Sequence, residues 1–187
     1  MVRNLSAWLI KFSTKWVPLI GFIIFLAFSL LFLPGQTRLT ETYSAGLGSP
    51  DTSLFYTPAD LYQMAETYGA EGRSAYVQAR LTFDIAFPIV YTFFLVTSIS
   101  WFESRVLDEG NEFRTGNILP LFAMLFDLLE NACTALVFSR FPTYSPFLSM
   151  LAPFFTLVKW TSVGSSFLFL FIMMVWVVVH RSRRKGK

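Results

Sequence analysis

The sequence predicts an all-α fold, a polytopic membrane protein built as a four-transmembrane-helix bundle with a short amphipathic helix in its first extracytoplasmic loop. Three observations lead there. Hydrophobic residues make up 54% of the 187 residues and charged ones only 14%, a balance foreign to ordinary soluble domains. Apolar runs at about 17–34, 81–101, 118–138 and 160–180 each come close to the roughly 20 residues that cross a hydrocarbon core as a helix. Charge is also uneven: with both termini cytoplasmic, about ten lysines and arginines fall inside and about five outside, the usual bias. The expectation is a single membrane domain over 1–187 in a bacterial or archaeal cell membrane.

Taken in order, residues 1–16 set Arg3, Lys11 and Lys15 among Leu5, Trp8, Leu9, Ile10, Phe12 and Trp16. That is the pattern of an amphipathic lead-in lying at the interface. The first span closes in LFLPGQTR, without small residues at the usual cleavage positions, and reads as an uncleaved signal anchor. Residues 35–80 form the extracytoplasmic loop. Within it, Thr57-Pro58-Ala59-Asp60 offers an N-cap, a proline at the first helical position and a first-turn acid. Leu61, Met64, Ala65 and Tyr68 then share one face, which predicts a helix over about 58–68 ended by Gly69 as its C′ residue.

A longer helix starts near Ser74 and continues into the second span. Residues 102–117 read as a charged loop with turns at Gly110-Asn111 and Gly116-Asn117. The last run, 147–180, is too long for one perpendicular crossing, so an interfacial turn or a helical extension precedes the span at 160–180. Thr161, Ser162, Gly164, Ser165 and Ser166 suit close helix packing there. Residues 181–187 make a basic cytoplasmic tail, matched to anionic lipid rather than to nucleic acid.

Chemistry concentrates in two polar stripes. Asp127, Glu130, Asn131 and Thr134 follow i, i+3, i+4 and i+7, so a helix lines them up on one face. A carboxylate turned to lipid at that depth is costly, and the stripe is expected to face protein or a water-filled cavity. Tyr76, Arg80, Asp84, Pro88 and Tyr91 form the second stripe, with Arg80 and Asp84 paired across one turn. Pro88 has no N–H for the carbonyl of Asp84, which then needs a partner from a neighbouring helix or water. Setting the spans at common depth brings Arg80, Asp84, Glu130, Asn131 and Lys159 together in the outer half, over a floor of Asp127 and Tyr91. These are the candidate ligand-binding residues. No catalytic residue is assigned.

Cys133 is the only cysteine and His180 the only histidine. A disulfide within the chain, a two-histidine haem site and a multi-histidine zinc site are thereby excluded for one chain. Asp84, Asp127, Glu130 and Asn131 are oxygen ligands of the type a hard divalent ion takes. Without a second acidic motif of known spacing, no metal and no cofactor is expected. Cys133, off the stripe, reads as an inert buried thiol.

The layout is similar to the four-helix sterol isomerase and sigma-2 receptor-like membrane proteins, through Asp84, Pro88 and Tyr91 in the second span. The resemblance implies spans enclosing a lipid-accessible pocket with acidic residues. It does not carry isomerase chemistry over, because the isomerases' histidine inside a span has no counterpart here.

The leading expectation for function is binding of a membrane lipid or other apolar or amphipathic small molecule at the outer polar site. A proton- or cation-coupled transporter or channel subunit, assembled as a homo-oligomer, comes next. An accessory subunit that pairs its stripe with a partner in a membrane complex is a third reading. A lipid-modifying enzyme using Glu130 or Asp84 as acid or base is the fourth, though no nucleophile–base pair stands out. Against all of them stands a structural polar network that only sets helix register.

Overall fold

In a computed structural model, residues 1–185 are described, with side chains described through His180, so the basic tail at 181–187 lies outside the described side chains. Every regular element among the described residues is helical. In chain order these are α1 Val2–Phe12, α2 Val17–Tyr43, α3 Pro58–Thr67, α4 Gly69–Leu81, α5 Phe83–Val106, α6 Leu119–Arg140 and α7 Pro146–Lys185. Two 3-10 helices, Pro50–Thr52 and Glu112–Ile118, lie in the connections. Four stretches, Val17–Tyr43, Gly69–Val106, Glu112–Arg140 and Pro146–His180, are long and apolar enough to cross a membrane. The protein is an integral membrane protein of the all-α, four-helix class.

The helices outrun the predicted spans. The first does not stop at 34 but continues through Pro34 to Tyr43. One hydrogen bond lost at a proline is outweighed here by burial, since Leu39 and Tyr43 pack against an apolar core. The helix expected from near Ser74 forms but begins earlier, α4 starting at Gly69, so that residues 69–73 are helical as well. Gly69 has φ +63, the left-handed conformation expected of a C′ glycine, and it starts the next helix as well. The last run is one continuous helix over Pro146–Lys185. Of the two alternatives for 147–159, the helical extension is what forms.

The chain divides into two compact units, Met1–Leu26 with Val90–Ala123 and Thr161–Lys187, and Ala27–Ile89 with Met124–Trp160. Each long helix contributes a segment to both.

In the first unit α1 buries Ser6 and Leu9, and Leu9 joins Val96 and Ile118 in a small apolar cluster. Asn117 ties the pieces together: its amide donates to the Ser6 carbonyl at 3.2 Å and to the Ser100 hydroxyl at 2.8 Å. The Ser6 hydroxyl in turn donates to the Arg114 carbonyl at 2.6 Å. Close packing occurs at Gly21, where a Cβ would sit 3.2 Å from the Phe94 backbone. At Gly164, in the cluster expected to pack tightly, a Cβ would meet only open space. Glu103 also departs from expectation. It closes α5 rather than opening a solvated loop, is fully buried, and faces the backbone N–H groups of Gly116 and Asn117.

The second unit is built around Leu61, Met64, Ala65 and Tyr68, all buried as the sequence periodicity requires. They pack with Tyr76, Val137, Phe138 and Ala152. The capping box forms: the Thr57 hydroxyl accepts from the Asp60 N–H at 3.2 Å, and the Asp60 carboxylate accepts from the Thr57 N–H at 2.7 Å. The Thr57 N–H, and after it the Thr57 hydroxyl, which also donates to that carboxylate at 2.8 Å, hold the Asp60 carboxyl below its usual pKa. Tyr62 grips the α6–α7 connection, donating to the Thr143 carbonyl at 3.3 Å and accepting from the Ser145 N–H at 2.7 Å.

The cap gives a direct test. Thr57→Ala should destabilise the protein by roughly 0.5–2 kcal/mol, while Thr57→Ser should be nearly neutral. Thermal unfolding in detergent reads the difference.

Candidate functional site

Six of the residues predicted to converge lie in the second unit, and their side chains form one charged network. Arg80 is its first centre. Its Nε stands 3.0 Å from Asp84 Oδ2 and its Nη1 3.4 Å from Asp51 Oδ1. Nη1 also donates to Asn131 Oδ1 at 3.2 Å, and the guanidinium stacks 4.5 Å over the Tyr76 ring. The Arg80–Asp84 pair forms across a break rather than along a continuous helix. Thr82 ends α4 with φ −121 and ψ −81, and its distorted turn leaves the pair close but misaligned for a linear hydrogen bond.

Lys159, on α7, is the second centre. It pairs with Glu130 Oε2, stands 3.7 Å from Asp127 Oδ1 and donates to the Asp51 carbonyl at 3.4 Å. These acceptors match the three N–H bonds of an ammonium group. Glu130 is fully buried, and its other oxygen, Oε1, has no hydrogen-bond partner among the described residues.

Asn131 joins the two centres. Its amide oxygen faces Arg80, while its nitrogen donates to Asp127 Oδ1 at 3.1 Å and to the Asp84 carbonyl at 3.0 Å. The Asp84 carbonyl is the group that Pro88 leaves without its helical donor. A neighbouring helix supplies the replacement.

The sequence reading missed Asp51. It lies in the 3-10 helix Pro50–Thr52, within the predicted extracytoplasmic loop, ahead of the Thr57 cap. Its carboxylate accepts from the Ser49 hydroxyl and pairs with Arg80, and its carbonyl accepts from Trp160 Nε1 at 2.8 Å. Burial alone would raise the pKa of this carboxyl. Arg80, Lys159 and the Ser49 hydroxyl outweigh it and hold the value below the usual one. The side chain keeps 22% exposure, more than Arg80, Asp84, Asp127, Glu130 or Lys159 retains, so water reaches the network most readily at Asp51. Tyr56 was missed too. Its hydroxyl bonds Thr156 at 2.9 Å, and burial, reinforced by the Glu130 charge, raises its pKa and keeps it protonated.

Tyr91, expected in the floor, is buried and belongs to the first unit, whereas the other six belong to the second. Cys133 is buried in the apolar core beside Val137. Among the described residues no group of three or more His, Cys, Asp or Glu side chains is arranged to hold a metal ion. Protein cations occupy the positions between the acids instead. Four carboxylates, Asp51, Asp84, Asp127 and Glu130, surround two cations, Arg80 and Lys159. Acids outnumber bases by two.

No family model, curated protein or solved structure matches this chain.

Two outcomes follow. Lys159→Met should cost about 3–5 kcal/mol by leaving Glu130 without its cation, and adding Glu130→Leu should recover most of the loss. Thermal unfolding of both variants checks it. For Asp51, folding lowers the pKa, so its contribution is complete above the ordinary value of 3.8 and is lost as pH falls through the folded value. The stability gap between wild type and Asp51→Asn should be flat at neutral pH and close in acid.

Proposed function

We propose that this protein binds an amphipathic molecule whose polar head is cationic, at the Asp51–Arg80–Asp84–Asp127–Asn131–Lys159–Glu130 network. The surplus of two carboxylates carries this reading. A net excess of negative charge in a site poor in water is expensive, and a cationic head removes the expense where a neutral or anionic one does not. The partly exposed Asp51 offers the point of first contact, and the unpartnered Glu130 Oε1 a further acceptor. Wide apolar surfaces on the same unit, including Leu30, Leu31 and Phe32, suit the tail.

The distribution of lysine and arginine supports both termini on the cytoplasmic side, and a bacterial or archaeal cell membrane is the proposed setting. The network then belongs to the outer half.

A second reading, proton-coupled transport, draws on the same surplus, because protons also neutralise it. Asp127 and Asp84 connected through Asn131 suit such a role. Proton flux into liposomes that disappears in Asp127→Asn would favour it.

The binding reading is tested with a long-chain alkylamine against the alcohol of equal length, using native mass spectrometry on the full chain. The amine should be retained and the alcohol not. Asp51→Asn and Asp84→Asn should each weaken the amine about tenfold, the loss of one charged hydrogen bond. Equal binding of amine and alcohol would end the proposal.

A further inference from the structure

The first unit contains a cavity of about 370 Å³ between α1 and the Glu112–Ile118 3-10 helix, within the size range of small-ligand sites. Its charged lining is Arg3, Lys11 and Arg114 against the single carboxylate of Glu109, with Asn111 and Thr115 as further polar groups. Arg3 also stands 4.0 Å from Glu112, both side chains being mostly exposed, so that pair is weak. The lining therefore favours an anion.

The form of α1 narrows the choice of anion. At about 100° per residue the helix divides into three faces. Ser6 and Leu9 are buried in protein. Arg3 and Lys11, two turns apart, line the cavity. Leu5, Trp8 and Phe12 form the third face, 42%, 60% and 48% exposed, with the Trp8 and Phe12 rings stacked at 5.8 Å. A helix that sets cations beside exposed tryptophan and leucine lies at a membrane surface, with rings among acyl chains and cations among headgroups. The cavity wall is also held in place. Ser6 bonds the Arg114 carbonyl and Asn117 bonds the Ser6 carbonyl, so the backbone that carries Arg114 is fixed before any ligand arrives.

We infer that this cavity receives the phosphate headgroup of an anionic phospholipid, held by Arg114, Lys11 and Arg3. The site is independent of the acidic network in the second unit. Its charge preference is the opposite.

The full chain in uncharged detergent is titrated with short-chain phosphatidylglycerol, short-chain phosphatidylcholine and inorganic phosphate, read by native mass spectrometry and calorimetry. A basic side chain near a lipid headgroup gives about a fivefold gain, so phosphatidylglycerol should exceed phosphatidylcholine by roughly 25-fold for the two cations that Glu109 leaves unmatched. Arg114→Ala and Lys11→Ala should each lower phosphatidylglycerol binding about fivefold and narrow its margin over phosphatidylcholine. Glu109→Gln should raise it, and Arg114→Lys should retain most of it. Equal affinity for the two lipids, or a preference that survives loss of both cations, would overturn the inference. Phosphate binding as tightly as phosphatidylglycerol would assign the site to the free ion and overturn the lipid. If Arg114→Ala fails to fold, Lys11→Ala at its exposed position decides the matter alone.

Discussion

Two cations held among four acids, with one asparagine amide between them, set the terms for the second unit. In a medium of low polarity each of those charges would be costly alone. Arg80 and Lys159 can remain buried because acids surround them, and Asp84 and Glu130 because the cations do. The arrangement draws on α4, α5, α6, α7 and the connection that contains Asp51. It therefore constrains how all these segments pack, whatever the site binds.

The first unit uses a related device with neutral groups. Asn117, like Asn131, is buried and spends its side-chain amide on groups distant in sequence. Asparagine suits this work because one short side chain offers two donors and an acceptor. Around Asn117 the partners are hydroxyls and carbonyls, so the joint is fixed without ionic charge. Around Asn131 two partners, Asp127 and Arg80, are ions and the third is the Asp84 carbonyl. The two units share a mode of construction and differ in the charge of the groups joined.

Much of this was legible in the sequence, for definable reasons. Periodicity placed Asp127, Glu130, Asn131 and Thr134 on one face, and all four are buried. The missing N–H of Pro88 called for a donor to the Asp84 carbonyl, which Asn131 provides. The Thr57 cap was readable because capping chemistry is local. Asp51 was not, because a residue in an irregular connection has no period to reveal its direction. Glu103 was misplaced because its charged neighbours in sequence suggested solvent, whereas the backbone N–H groups it faces belong to a turn whose path no pattern shows. Helix ends were also hidden. Leu39 and Tyr43 extend α2 by packing on residues far along the chain, and such contacts are invisible to a local reading.

The hydroxyl of Tyr62 bonds the connection that follows α6 at two points, Thr143 and Ser145. In the order of synthesis, α3 precedes that connection by most of two spans. The hairpin of α6 and α7 thus closes on a receptor made earlier, and its geometry is dictated from outside the hairpin. A ribosome-bound chain lacking α3 would present the same two helices with no template for the turn that joins them.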